Sequence, residues 1–216
     1  MFEIVTVTSP LWDLYASHFT QPVVDTAGPS SPDAVTAALA PVGQDALEVA
    51  PDCVVFNRPG MVATLNGIGQ GYITDRVVEL LRAEGVEKAL VDMGETRAVG
   101  THPEGGPWRV GIEDPAVRGE VAERVSLTNR AIATSGGYGT QFDPAGRFNH
   151  IFDPTNGHTS WRYRAISVVA PTATEADALS TAFCVMPMEQ IRSMVQARKL
   201  VAYLAMTDGQ RVLIES

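Results

Sequence analysis

Asp177 and Thr181 stand four residues apart in Ala176-Asp177-Ala178-Leu179-Ser180-Thr181-Ala182-Phe183, a stretch that reads as helix. At that spacing two side chains lie one above the other on a single helix face. Most neighbours are Ala, Leu or Phe, so a carboxylate and a hydroxyl would emerge together from an apolar setting. Leu65-Asn66-Gly67-Ile68-Gly69-Gln70-Gly71-Tyr72 is a glycine-rich turn whose bare backbone can approach a ligand closely. Oxygen donors beside a loop of phosphate size suit a hard cation such as Mg2+ holding a nucleotide. Both residues also have ordinary readings. Thr174-Glu175-Ala176-Asp177 fits a capping box, in which an acid three residues after Thr satisfies the helix N-terminus. A mid-helix threonine such as Thr181 can bond back to the carbonyl one turn earlier.

Other segments add groups of the same chemical kind. Ala133-Thr134-Ser135-Gly136-Gly137-Tyr138 ends a strand in hydroxyls and glycines, a place for phosphate or ribose oxygens or simply a polar turn. His150 lies in Asn149-His150-Ile151-Phe152-Asp153-Pro154, between a strand and a tight turn, where an imidazole can exchange protons near neutral pH. A lone histidine is also commonly structural. Gly67-x-Gly69-x-Gly71 lacks the spacing of a dinucleotide fingerprint, and no acidic residue follows at the ribose position. What survives is a helix N-terminus behind a glycine turn, suited to a phosphate or a close carbonyl ligand. His18, His102 and His158 show no ligand spacing, so zinc is unsupported.

The elements that must position these groups belong to a chain of 216 residues, 45% apolar, enough for one globular domain or two small ones. A net charge of -9 without a Lys/Arg cluster argues against a nucleic-acid backbone binder. Cys53 and Cys184 have no metal-ligand spacing and read as buried free thiols. No apolar run reaches membrane-spanning length, and Met1-Phe2-Glu3-Ile4-Val5 does not have the pattern of a signal peptide.

Strands are expected over residues 1–8, 53–56, 61–64, 89–93, 108–112, 131–134 and 163–170, with a closing pair joined at Asp208-Gly209. A Pro/Gly/Ser loop is expected over Thr26 to Pro32. Helices are expected over Leu11–Phe19, Asp33–Leu39, Thr74 to about Ala83, from about Val117, from Thr174 and from Pro187. Helices and hairpin-linked strands are mixed, which makes the class α+β.

Taken in order, these segments resemble the ApbE family, the FAD:protein FMN transferases. The stretches that carry the resemblance are Leu65–Arg76, Leu90–Gly100, Pro107–Pro115, Ala131–Tyr138, His150–Gly157 and Ala170–Met186. A weaker segment, Val7–Phe19, fits upstream. The resemblance implies a T-fold-like α+β domain over residues 1–216, with mixed or antiparallel sheets packed with helices. It implies Mg2+-dependent cleavage of the FAD pyrophosphate, with FMN passing to a Thr or Ser hydroxyl of an acceptor protein and AMP departing. Asp177 and Thr181 would supply side-chain ligands to the metal, and the Gly69 carbonyl a third. Asn66 and Gly67 of the loop would line the nucleotide site, and Glu95, at the family's Gly-Gly-Asp position, would contact the adenosine half. His150 would sit at the pyrophosphate as general base or charge stabiliser, with Asp153 as its competitor. Thr134, Ser135 and Gly136 would lie near the flavin nucleotide. The implied partner is an acceptor protein of a membrane redox complex in the periplasm, with homodimerisation allowed and no nucleic acid.

The chain departs from the family pattern in several places. The frequent Asp before the glycine loop is Thr64, and the loop's Ala-Lys is Gly69-Gln70, which removes a cation able to hold a phosphate. Asn156 stands for the Thr of Asp-Pro-x-Thr-Gly, and Gly136-Gly137 for Gly-Asp. Measured against the family, roughly the first third is expected to be missing. That leaves two alternatives to transfer: an FAD-binding remnant without turnover, or an FAD pyrophosphatase giving FMN and AMP.

Overall fold

A computed structural model describes residues 9–20, 28, 31–117 and 119–216. The strand expected over residues 1–8 and most of the loop over Thr26–Pro32 lie outside the described residues. The chain divides into two compact units, Met1–Asn66 with Gly137–Ser160, and Gly67–Gly136 with Trp161–Ser216.

In the first unit, α1 (Ser9–Phe19) and α2 (Pro32–Leu39) stand close to the expected helices. Ser31 caps α2, its hydroxyl accepting from the Ala34 N–H, and Pro32 opens the helix where its missing N–H is not needed. Leu11, Tyr15, Val35 and Phe152 form the core, with Phe142 and Phe148 packed against it. β1 (Leu47–Val49) and β2 (Val54–Phe56) pair as an antiparallel hairpin. The strand at residues 53–56 was expected to neighbour another at 61–64. It pairs instead with the preceding segment, closed by an Ala50 N–H to Cys53 carbonyl bond of 2.9 Å. Among the described residues Met61–Thr64 forms no strand element; it follows a turn with Gly60 at φ +79°.

The second unit is built on a six-stranded antiparallel sheet in the order β10-β9-β8-β7-β4-β3. Its strands are β3 (Ala89–Asp92), β4 (Thr96–Val99), β7 (Ala131–Ser135), β8 (Tyr163–Ala170), β9 (Val201–Met206) and β10 (Arg211–Glu215). A separate hairpin, β5 (Trp108–Glu113) with β6 (Val121–Leu127), covers one face. There Ala98, Ile132 and Val169 of the sheet meet Val125 and Leu127 of the hairpin. Helices α3 (Gly69–Ala83), α4 (Ala173–Phe183) and α5 (Met188–Arg198) complete the unit. On the face opposite the hairpin, Val78 of α3 packs on Val91 and Val99, and α4 packs over β7 and β8. The α+β class, antiparallel sheets packed with helices, is what the sequence leads one to expect.

Three expectations in this unit need correction. The helix expected from Val117 is strand β6: Val125 and Leu127 alternate into the hairpin core, and period two overrides the helix propensity of Ala-Glu-Arg. Helix α3 starts at Gly69, so Thr74 lies inside it and bonds back to the Gln70 carbonyl at 2.9 Å instead of capping. Helix α4 is capped by Thr172, whose hydroxyl accepts from the Glu175 N–H at 3.2 Å. The N-cap is therefore Thr172 rather than Thr174, and Asp177 lies a half-turn beyond the capped residues. Both thiols are free as expected, but only Cys184 is buried; Cys53 is exposed.

Candidate active site

Helices α3 and α4 approach closely because Gly71 has no side chain. A Cβ there would stand 2.4 Å from the Ala173 carbonyl oxygen and 2.7 Å from Asp177 Cβ. That approach lets the Gly71 N–H donate to Asp177 Oδ2 at 2.9 Å. Gly71 is the third residue of α3, and α3 has no side-chain cap of its own, so this N–H has no partner within the helix. Asp177 thus caps a helix, but α3 rather than α4, and its carboxylate sits at the positive end of the α3 dipole.

Asp177 is 4% exposed, and among the described residues no Lys, Arg or His forms an ion pair with it. Burial raises its pKa, and the Gly71 hydrogen bond partly opposes the rise. Glu95, in the turn between β3 and β4, is also buried. Its pKa is pushed up to about 8 by burial first, then by the Asp177 charge; a hydrogen bond from the Thr134 backbone N–H pulls it down, and Asp92 adds to the rise. Among the described residues neither carboxyl has a cationic partner, and a site of this kind would gain from a bound cation.

Thr181, one turn after Asp177, does not bond back along its helix as one reading allowed. Its Oγ1 lies 3.0 Å from Ser135 Oγ, at the end of β7. A Cβ added at Gly67 would meet Thr181 Cγ2 at 3.3 Å, so the glycine turn lies against this threonine. Gly69 opens α3, two positions before Gly71. At the first helical position its carbonyl accepts within the helix on one lone pair and keeps a second. The structure therefore gathers Asp177, Thr181, Ser135, Glu95 and the Gly67–Gly71 turn.

Thr134 does not join them. It pairs across the sheet with Ser167, and the two hydroxyls meet at 2.7 Å on the hairpin face. Ser135, the next residue, faces α4, as strand alternation requires; that period was available in the sequence. Gly136 follows Ser135 directly. Asn66 closes the first unit, its N–H donating to Thr64 Oγ1 at 3.2 Å.

His150 also belongs to the first unit. Its Nδ1 lies 3.2 Å from the Thr140 carbonyl. A carbonyl only accepts, so Nδ1 carries the proton and Nε2 offers a free lone pair. Burial lowers the His150 pKa, against the opposing Thr140 bond, which favours the neutral ring. Asp153 accepts from the Thr155 N–H at 2.9 Å and the Thr155 hydroxyl at 2.6 Å, which commits it to its turn.

Asp75 is a further member of the α3–α4 junction that the sequence does not mark. It forms a buried ion pair with Arg97 and accepts from the N–H groups of Ala173 and Thr174, both at 2.9 Å, and from the Thr174 hydroxyl at 2.5 Å. Nothing in Thr74-Asp75-Arg76 distinguishes it from a surface helix acid. A cavity of about 200 Å³ opens on the hairpin face, against Ile112, Ala165, Tyr203 and Leu213, and no candidate site residue lines it.

The donor set at Asp177 and Thr181 is all oxygen, which fits a hard cation such as Mg2+. Among the described residues no three His, Cys, Asp or Glu converge as a metal cage. A hydroxyl and a backbone carbonyl would have to supply ligands beside the carboxylate. Among the described residues, too, no helix is long and apolar enough to cross a membrane.

Residues 5–204 match the model of the ApbE family. An FAD:protein FMN transferase of Klebsiella pneumoniae is 31% identical over 156 residues, 70% of this chain and 45% of that protein. One of Haemophilus influenzae is 35% identical over 151 residues, 68% of this chain and 44% of its own length. The chain therefore spans a little under half the length of the curated relatives it matches. The crystal structure of the ApbE protein of Thermotoga maritima superposes with a TM-score of 0.81 at 26% identity, covering 98% of this chain and 69% of that one. The flavin transferase ApbE of Vibrio cholerae gives 0.76 at 26% identity, over 98% of this chain and 68% of its own.

Proposed function

The chain belongs to the ApbE family, and from that premise we propose that it transfers FMN from FAD to a Thr or Ser hydroxyl of an acceptor protein, releasing AMP. The observation that carries this reading is the buried Asp177, which has a backbone N–H on one oxygen and, among the described residues, no cationic partner, beside the Thr181 hydroxyl. Asp177, Thr181 and the Gly69 carbonyl would hold Mg2+. Bound there, the ion would neutralise pyrophosphate charge and polarise the bond to be broken.

The protein's own residues do the rest by position. Gly67 and Gly71 keep the turn and α3 close to α4 without side chains in the way. Glu95 adds a second carboxyl that favours a cation at Asp177, and we assign it contact with the adenosine half. Ser135 and Gly136 end β7 where the flavin nucleotide is assigned. The Thr134 backbone N–H holds Glu95, while the Thr134 hydroxyl is spent on Ser167. To His150 we assign the proton of the acceptor hydroxyl, since its neutral ring carries a free Nε2. Gln70, where the family has Lys, gives the phosphates a neutral donor and leaves more of their charge to the metal. On the family resemblance we take the acceptor to belong to a membrane redox complex and the reaction to occur in the periplasm.

The test is Mg2+-dependent attachment of FMN to a Thr-containing acceptor peptide, with AMP measured alongside. Asp177→Ala is expected to slow transfer by about a hundredfold or more, the scale of one lost electrostatic contact to the transition state. Transfer at the wild-type rate would overturn the metal assignment. Free FMN without peptide labelling would indicate hydrolysis, and FAD binding without AMP a site that no longer turns over.

A further inference from the structure

Thr181 is one end of a chain of three hydroxyls. Its Oγ1 lies 3.0 Å from Ser135 Oγ, and Ser135 Oγ lies 2.7 Å from Ser180 Oγ. Ser180, fully buried, lies 3.0 Å from the backbone carbonyl of Asp177. Each hydroxyl has a single proton and two lone pairs, and a carbonyl can only accept. With the Ser180 proton on the Asp177 carbonyl, Ser135 must donate to Ser180. The Ser135 proton is then committed, so Thr181 must donate to Ser135. Donor counting gives the chain one direction, from Thr181 inward to the carbonyl.

That direction matters for a metal ligand. A hydroxyl coordinates through a lone pair, and a proton turned toward a cation opposes it. Thr181 by itself is a free rotor; Ser135 fixes where its proton goes, and Ser180 fixes Ser135. The two elements are also tied at the backbone. The Cys184 thiol donates to the Ser180 carbonyl at 3.3 Å and lies 3.7 Å from the Ser135 carbonyl.

We propose that Ser135 and Ser180 are positioning residues for the cation: together they hold the Thr181 proton inward and leave its lone pairs facing the metal. The proposal rests on the reading that Asp177 and Thr181 hold Mg2+. It also changes the part assigned to Ser135, whose hydroxyl is occupied by its neighbours and serves the ligand rather than the flavin. Outer-shell hydrogen bonds of this kind orient ligands, and their loss typically weakens metal binding by about ten- to a hundredfold.

The experiment is calorimetric titration of the full chain with Mg2+, and separately with Mn2+, without FAD, for wild type, Ser180→Ala, Ser135→Ala and the double variant. Melting without metal is followed in parallel. In Ser180→Ala the freed Ser135 proton can turn onto Thr181 Oγ1 and oppose the cation, so affinity should fall about tenfold or more. Ser135→Ala removes that proton altogether and should cost less. The double variant should bind no worse than Ser135→Ala alone, a non-additivity that simple loss of packing would not produce. Ser135→Thr, which keeps the hydroxyl, should restore binding. If wild type binds and all three alanine variants bind as tightly, the hydroxyl chain has no such role, while the metal reading stands. Losses that simply add in the double variant, or that follow the metal-free melting temperatures, also overturn the proposal. Absence of binding in wild type overturns the metal reading and this proposal with it. Should Ser180→Ala fail to fold, Ser135→Ala against Ser135→Thr carries the test.

Discussion

At the junction of α3 and α4 each helix lends an aspartate to the start of the other. Asp75 of α3 accepts from the Ala173 and Thr174 N–H groups at the start of α4, and Arg97 supplies a cation. Asp177 of α4 accepts from the Gly71 N–H at the start of α3, and no cation of the described residues pairs with it. Both are nearly fully buried. The same residue type, in matching helix-capping positions, is complete in one case and incomplete in the other. A carboxylate whose hydrogen bonds and charge are satisfied holds structure. One left with an open oxygen and no cation among the described residues has room for a ligand, here beside a hydroxyl and a second carboxyl, Glu95.

The largest effect expected from this contrast is on stability. Asp75→Ala strands Arg97 in the interior and uncaps α4, so it should cost about 3–5 kcal/mol of unfolding free energy, the usual cost of breaking a buried ion pair from one side. Denaturant unfolding measures it. A loss under 1 kcal/mol would show that the two aspartates do not differ in the way described.

Asp177→Asn should do the opposite. The amide oxygen can still accept from Gly71, and a buried charge without a counter-ion is gone. Metal-free stability at pH 7 should hold or rise, while flavin transfer falls about a hundredfold, about 2.7 kcal/mol of barrier. Mg2+ should raise the melting temperature of wild type and leave Asp177→Asn unmoved, since a ligand stabilises only the state that binds it. A destabilised variant with normal Mg2+ response would make Asp177 a second Asp75.

How far the sequence could tell these two apart follows from where each interaction comes from. Asp177 and Thr181 were legible because their spacing places them on one helix face and their neighbours are apolar. The cap that Asp177 makes was legible only as a type of interaction. The sequence pointed to its own helix, whereas the bond crosses to Gly71, 106 residues earlier. Asp75 was invisible because its burial depends on Arg97 in another strand and on the start of α4, and nothing local marks it. Strand β6 was missed because Ala122-Glu123-Arg124 favours helix locally, while the partner strand β5 supplies the reason for extension. Thr134 and Ser135 are adjacent hydroxyls in the sequence, but strand period two sends them to opposite faces.

Glu95 gives a pH-dependent effect on the incomplete side, small over any one pH unit. Its folded pKa, about 8, lies above the ordinary carboxyl value of 4.5. Between those values the folded protein holds a proton that the unfolded chain has lost. Its stabilising contribution is therefore full below pH 4.5 and declines as pH rises toward 8. The slope is at most about 1.4 kcal/mol per pH unit for one proton. Metal-free wild type should lose stability across this window, and Glu95→Gln should flatten the decline. An equal slope in the variant would remove Glu95 from the unbalanced group.

The smallest effect separates capping from ligation directly. Thr172 caps α4 through the Glu175 N–H, and Asp75 takes the N–H groups of Ala173 and Thr174, so the first turn of α4 is satisfied without Asp177. Thr172→Ala should cost about 1 kcal/mol, as N-cap losses do. It should leave Mg2+ response and transfer rate as they are, because neither the Gly71 bond nor the Thr181 hydroxyl depends on that cap. Combined with Asp177→Asn, the stability changes should add, since the two residues serve different helix ends. If Thr172→Ala instead lowers Mg2+ affinity as strongly as Asp177→Asn, the start of α4 and the cation site are one cooperative unit. The division between a structural aspartate and a ligand-holding one would then have to be redrawn around the whole helix rather than the single residue.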